Sequence, residues 1–140
     1  MPHQGQEIGS DGGMKLRLVR TGEETDGELL EMEATYPGDG SMPPVHLHPS
    51  QTEHFEILEG SMRTVIGGDE RIYESGESFE VPAGTPHQMG TDQPTRMTWK
   101  VQPALRTAEF FERLYGTGPD SAREMGEEFF AEFDEEFRLS

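Results

Sequence analysis

The chain contains no cysteine. That excludes disulfides and thiolate-held metal, and leaves only nitrogen and oxygen donors for any ion. Apolar residues make up 31% of the 140 positions, and no run is apolar enough to span a bilayer. The N-terminus lacks the charged-then-apolar order of a signal peptide, so the default expectation is a cytoplasmic protein with no membrane partner. Lysine is scarce: two Lys and nine Arg face 28 acidic residues, for a formal charge of -17. Such a chain repels phosphate backbones and anionic lipid, which argues against nucleic acid as a partner. Acidity of this kind has the look of a salt-adapted protein, but the plainer and favoured reading is a GC-rich genome with an acidic tail. Net charge reports on solubility and not on fold.

What is abundant is glycine (17) and proline (10), which favours a turn-rich β fold over a helical bundle. The length suits one domain. Residues 1–14 are polar and glycine-rich and are expected to form a flexible arm. From Lys15 onward, short strand signals recur between turns. Leu16 and Leu18, then Leu29 and Glu31, flank a turn over 24–27. Strands are expected over 53–58, 62–66, 71–73, 78–81, 87–89 and 96–101, with a Gly67-Gly68-Asp69 hairpin turn among them. Several short strands at regular spacing predict an all-β sandwich or barrel over 15–103.

After Pro103 the period changes from two to about 3.6. Phe110, Phe111, Leu114 and Tyr115 share one helical face, with Gly116 as its stop. Ser121 and Glu124 have capping-box spacing, and Met125, Phe129, Phe133 and Phe137 recur every four residues. Two C-terminal α-helices packed on the β-domain are expected over 104–138, the whole of 15–140 being one domain. Their phenylalanines read as core contact, with a lid over the barrel mouth or a dimer contact as a sharper alternative.

The chemistry-bearing residues are His46, His48, Glu53 and His87. His46 and His48 are two apart on an extended segment, so both side chains leave the same face. The turn over 49–52 can bring Glu53 back over them, and His87 follows a proline-glycine bend over 82–86. Three imidazoles and a carboxylate suit one divalent transition metal: Fe, Mn, Co, Ni, Cu or Zn. His54 has the opposite parity to Glu53 and should face away.

The full pattern is Gly40-x5-His46-x-His48-x4-Glu53-x6-Gly60, then Gly76-x5-Pro82-x-Gly84-x2-His87. It resembles the two motifs of the cupin superfamily, over about residues 36–101, and in particular small single-domain, quercetin-dioxygenase-like cupins. The one departure is Thr91, where the second motif often ends in Asn. Thr caps a turn more weakly. The resemblance implies a double-stranded β-helix (a jelly-roll or cupin barrel) with His46, His48, Glu53 and His87 as metal ligands at its mouth. It also implies a homodimer, since members of the superfamily are often dimers.

Fold does not settle function here. The leading expectation is a metal-dependent oxygenase, dioxygenase-like, acting on a small apolar or phenolic molecule. In it Glu53 is both ligand and catalytic base. Strand parity puts Phe55, Ile57, Met97 and Trp99 on one face, as a substrate-pocket wall or as plain core. The alternatives are a non-catalytic small-ligand-binding or sensor cupin and a metal-dependent sugar isomerase.

Overall fold

The computed structural model describes residues 2–9, 13–40, 42–116 and 131–139. Among the described residues, eleven strands form two antiparallel sheets. The first holds β1 (Glu7–Gly9), β2 (Lys15–Arg20), β3 (Leu30–Tyr36), β10 (Thr95–Gln102), β5 (Thr52–Glu59) and β8 (Ser78–Val81), in that spatial order. The second runs β11 (Arg138–Leu139), β4 (His46–Leu47), β9 (His87–Gly90), β6 (Ser61–Ile66) and β7 (Asp69–Glu74). Sequence neighbours are thus dealt between two facing sheets, as in a jelly roll.

The alternation of side chains dictates this arrangement. On β5, Glu53, Phe55 and Ile57 are buried, while His54 and Glu56 point outward. On β10, Thr95, Met97, Trp99 and Val101 are buried. Register sets Trp99 opposite Phe55, Met97 opposite Ile57 and Val101 opposite Glu53. Each large apolar side chain so buried contributes about 1.5–3 kcal/mol relative to exposure. With Leu16, Leu18, Leu30 and Met32 they form one continuous core.

Three expectations need correction. The N-terminal arm is not wholly flexible: Glu7–Gly9 pairs with β2, and Ile8 is buried in the core. One apolar residue at the right parity is enough to add an edge strand. The turn after β2 is a one-turn helix, α1 (Gly22–Thr25), N-capped by Thr21 in a capping box with Glu24. In the C-terminal region α2 spans Thr107–Gly116, and residues 131–132 are helical again; only the point where that second helix stops differs from expectation. Ser121, Glu124, Met125 and Phe129 lie outside the described residues. The four-residue period does not mean helix at its end: residues 133–136 form turns, and Arg138–Leu139 pairs with β4 as an edge strand. Among the described residues no helix is long and apolar enough to cross a membrane.

Gly60 shows why the first motif ends in glycine. Its φ is +90°, and a Cβ there would lie 2.4 Å from Thr95 Oγ1 and 2.6 Å from the Pro94 carbonyl oxygen. A residue forced into this conformation costs about 1–3 kcal/mol before the clash is added. Gly60→Ala is therefore expected to lower the thermal unfolding midpoint by several degrees or more, measured by calorimetry. An unchanged midpoint would show that β5 and β10 can separate at no cost.

Candidate metal centre

His46 and His87 are directly paired across β4 and β9. His48 follows on the same face, two residues after His46. Gly84 closes the second motif onto the first: in a left-handed conformation (φ +77°), its N–H donates to the His48 carbonyl at 2.8 Å. That bond fixes the bend from which His87 enters the site. Glu53 reaches in from the other sheet, on β5. The four residues named from the motif are therefore brought together by two sheets and three separate segments.

One nitrogen from each of the three imidazoles lies within 4.8 Å of the other two. Each ring is held by its Nδ1 on a backbone carbonyl. His46 Nδ1 donates to Pro44 at 2.9 Å, His48 Nδ1 to Glu136 at 2.5 Å and His87 Nδ1 to Thr85 at 2.9 Å. A carbonyl only accepts, so Nδ1 carries the proton and Nε2 is left with its lone pair. This tautomer and anchorage are what metal-ligating histidines ordinarily show.

Glu53 is 1% exposed. Its Oε1 lies 3.0 Å from His48 Nε2 and 3.1 Å from His87 Nε2. Yet His48 Nε2 and Glu53 Oε1 are buried without a properly directed hydrogen bond. Buried polar atoms in that state cost about 1–3 kcal/mol each. A cation among them would satisfy both, so the donor set fits a single divalent metal ion.

The electrostatics agree with a site built around positive charge. Burial alone would push the Glu53 carboxyl up, but His48 and His87 outweigh it and hold the group below the usual carboxylate range. Burial also opposes charge on His48, and here the Glu53 carboxylate prevails and raises the imidazole above its ordinary value. At His46 the pull of the Glu53 carboxylate is too weak to offset burial. Burial lowers this imidazole to about 4, with the Pro44 carbonyl opposing in part.

One feature of the site was not anticipated from sequence, and a second stood only as the lid alternative for the C-terminal phenylalanines. Trp99 donates from Nε1 to Glu53 Oε2 at 2.7 Å. The C-terminal segment covers the histidines: Phe137 stacks on His46 with ring centroids 4.6 Å apart and lies edge-on to His48 at 6.1 Å. A buried tryptophan needs an acceptor for its N–H, and that need was a usable signal for the first. Nothing local in sequence marks the second, since it joins residues some ninety positions apart. His54 faces outward, with Nδ1 3.6 Å from Glu80 Oε1. Phe55, Ile57, Met97 and Trp99 do share a face, and all four are buried against one another in the core.

Comparison with known proteins agrees with this geometry. A family model described as "Cupin domain" matches residues 32–101. Quercetin 2,3-dioxygenase of Bacillus subtilis (strain 168) is 29% identical over 75 residues, covering 54% of this chain and 22% of that protein. The chain therefore matches less than a quarter of that relative's length. Among solved structures, an RmlC-like cupin from Shewanella frigidimarina NCIMB 400 aligns with a TM-score of 0.62 at 20% identity, over 75% of this chain and 89% of that one. A predicted oxalate decarboxylase from Thermotoga maritima aligns at 0.61 and 17% identity, over 71% and 92%. With the family model spanning half of the chain, the chain belongs to the cupin family.

Proposed function

We propose that this cupin binds one divalent transition metal through His46, His48, His87 and Glu53, and uses it as an oxygenase on a small apolar or phenolic molecule. The observation that carries the metal reading is the convergence of three Nδ1-anchored imidazoles on one point. The oxygenase reading is supported by the similarity to quercetin 2,3-dioxygenase. A redox-active metal would supply the electron transfer that lets an organic molecule react with O₂. The chain's own part is to hold the ion, to keep water from the buried Glu53 side of the site and to provide a carboxylate able to take a proton from a phenolic or enolic hydroxyl.

A sugar-phosphate isomerase is less well supported, because phosphate needs a cation in the site. Arg63 is engaged by Asp92, and Arg96 by Glu33 and Glu59, all on the outer surface. The test is an oxygen electrode run on protein loaded in turn with Fe(II), Mn(II), Ni(II) and Cu(II), against a panel of phenols, enediols and diketones. Oxygen uptake is expected with at least one pair, and its loss in Glu53→Gln that still holds metal would assign the carboxylate a catalytic part. Turnover without oxygen uptake would favour an isomerase. Tight binding of a compound that is returned unchanged would favour a sensor.

Metal affinity should depend on pH in a specific way. Protons compete with metal for a ligand imidazole, so affinity is full above its pKa and falls as pH drops through it. His48 is raised, so its competition begins above the ordinary histidine value, whereas His46 stays neutral down to about 4. From pH 8 to 5, affinity is expected to fall by about tenfold per unit once His48 protonates. Chelator-competition titrations check this, and a pH-independent affinity would exclude histidine ligation.

A further inference from the structure

The carboxylate of Glu53 has two oxygens with different surroundings. Oε1 faces His48 Nε2 and His87 Nε2 at 3.0 and 3.1 Å. Oε2 accepts from Trp99 Nε1 at 2.7 Å, in a fully buried contact between side chains. Trp99 and Glu53 sit diagonally on adjacent strands, since Trp99 pairs with Phe55 and Glu53 with Val101. The indole is itself clamped. Phe55 stacks on it with centroids 5.3 Å apart, and Phe111 of α2 meets it edge-on at 5.3 Å. Phe55 is in turn stacked on Phe79. A donor gripped on two sides cannot follow the carboxylate if it rotates.

We infer that Trp99 is a positioning residue that holds the Glu53 carboxylate with Oε1 turned toward the imidazoles, ready for a metal, an inference resting on the metal-binding reading above. The indole N–H takes one lone pair of Oε2 and fixes the plane of the carboxylate, so Oε1 is the oxygen directed at His48 and His87. The hydrogen bond to a charged acceptor is also among the stronger ones a buried neutral donor can make.

Trp99 is the single tryptophan of the chain, so its indole N–H gives one resonance in a nitrogen-15 correlation spectrum. Zinc is diamagnetic and leaves that resonance visible. Titrating the metal-free full chain with zinc, by calorimetry and by this spectrum in parallel, is expected to move the indole resonance to a limiting position at one zinc per chain. Trp99→Phe keeps an aromatic ring between Phe55 and Phe111 and removes only the donor. It is expected to bind zinc about tenfold more weakly, in line with the loss seen when a group orienting a ligand is removed. If wild type binds zinc while the indole resonance stays put, or Trp99→Phe binds as tightly as wild type, the inference is overturned and the metal reading stands. If wild type binds no metal at all, both fall. Should Trp99→Phe fail to fold, metal-free wild type and Glu53→Gln decide: a neutral amide is a weaker acceptor, so the indole proton should move upfield, and an unchanged resonance overturns the inference.

Discussion

His87→Ala is expected to abolish stoichiometric metal binding. The wild-type chain, purified without chelator or nickel resin, should carry about one transition-metal ion, and the variant almost none by elemental analysis. The loss should exceed the roughly 10–100-fold that follows removal of a group merely orienting a ligand. The deletion also acts twice. It takes away the Nε2 lone pair, and it strips the buried Glu53 Oε1 of a neighbour at 3.1 Å, leaving a carboxylate that is 1% exposed with His48 alone beside Oε1. Deleting a fully buried ring also leaves a cavity, at a cost on the order of 2 kcal/mol. The metal-free variant should therefore melt below metal-free wild type. His54→Ala is the control, since that ring points outward to Glu80, and it should keep both metal and stability. A His87→Ala protein holding one metal per chain at wild-type affinity would remove the site from this part of the molecule.

The grouping of His46, His48, Glu53 and His87 was readable because the spacing of the two motifs carries it, although only the His46–His48 pair is local. Parity places His46 and His48 on one face, and the Pro82–Pro86 bend aims His87 at them. Strand signals likewise placed β5 to β10 within a residue or two: β5, β6, β8 and β10 alternate between a wet and a dry face, while β7, exposed on both, was bounded by its turns. What could not be read is where the support comes from. The carbonyl that orients His48 belongs to Glu136, and a backbone carbonyl has no sequence signature. Phe133 and Phe137 follow Met125 and Phe129 at steps of four, which is a helical period. The chain nevertheless leaves the helix by residue 133 and ends as an extended strand against β4. Pairing with an exposed edge won over local periodicity. By contrast, the capping box of Thr21 and Glu24 was legible and overlooked, because the Glu24–Gly27 stretch already read as a turn.

The second large effect is expected at Phe133, which lies at the junction between the barrel, α2 and the C-terminal strand. It is fully buried. Its ring meets Phe110 at 5.5 Å, and the guanidinium of Arg106 lies 4.5 Å above it. Arg106 also grips the segment on both sides, donating to the Glu132 carbonyl and lying 3.4 Å from Glu136 Oε1. Phe133→Ala should cost about 3–5 kcal/mol, as for other buried phenylalanines. For a domain whose total stability is about 5–15 kcal/mol, that lowers the melting midpoint by on the order of 10 °C or more. Phe137→Ala should behave differently. Phe137 is only partly buried, and it stacks on His46 at 4.6 Å and on Phe110 at 5.1 Å. Its loss should cost less stability but uncover His46, so that bound metal passes to an external chelator faster than from wild type. If Phe133→Ala melts like wild type, the C-terminal strand is held by its backbone pairing with β4 and not by the phenylalanine. If Phe137→Ala releases metal at the wild-type rate, the ring over His46 is packing alone and gives the site no cover.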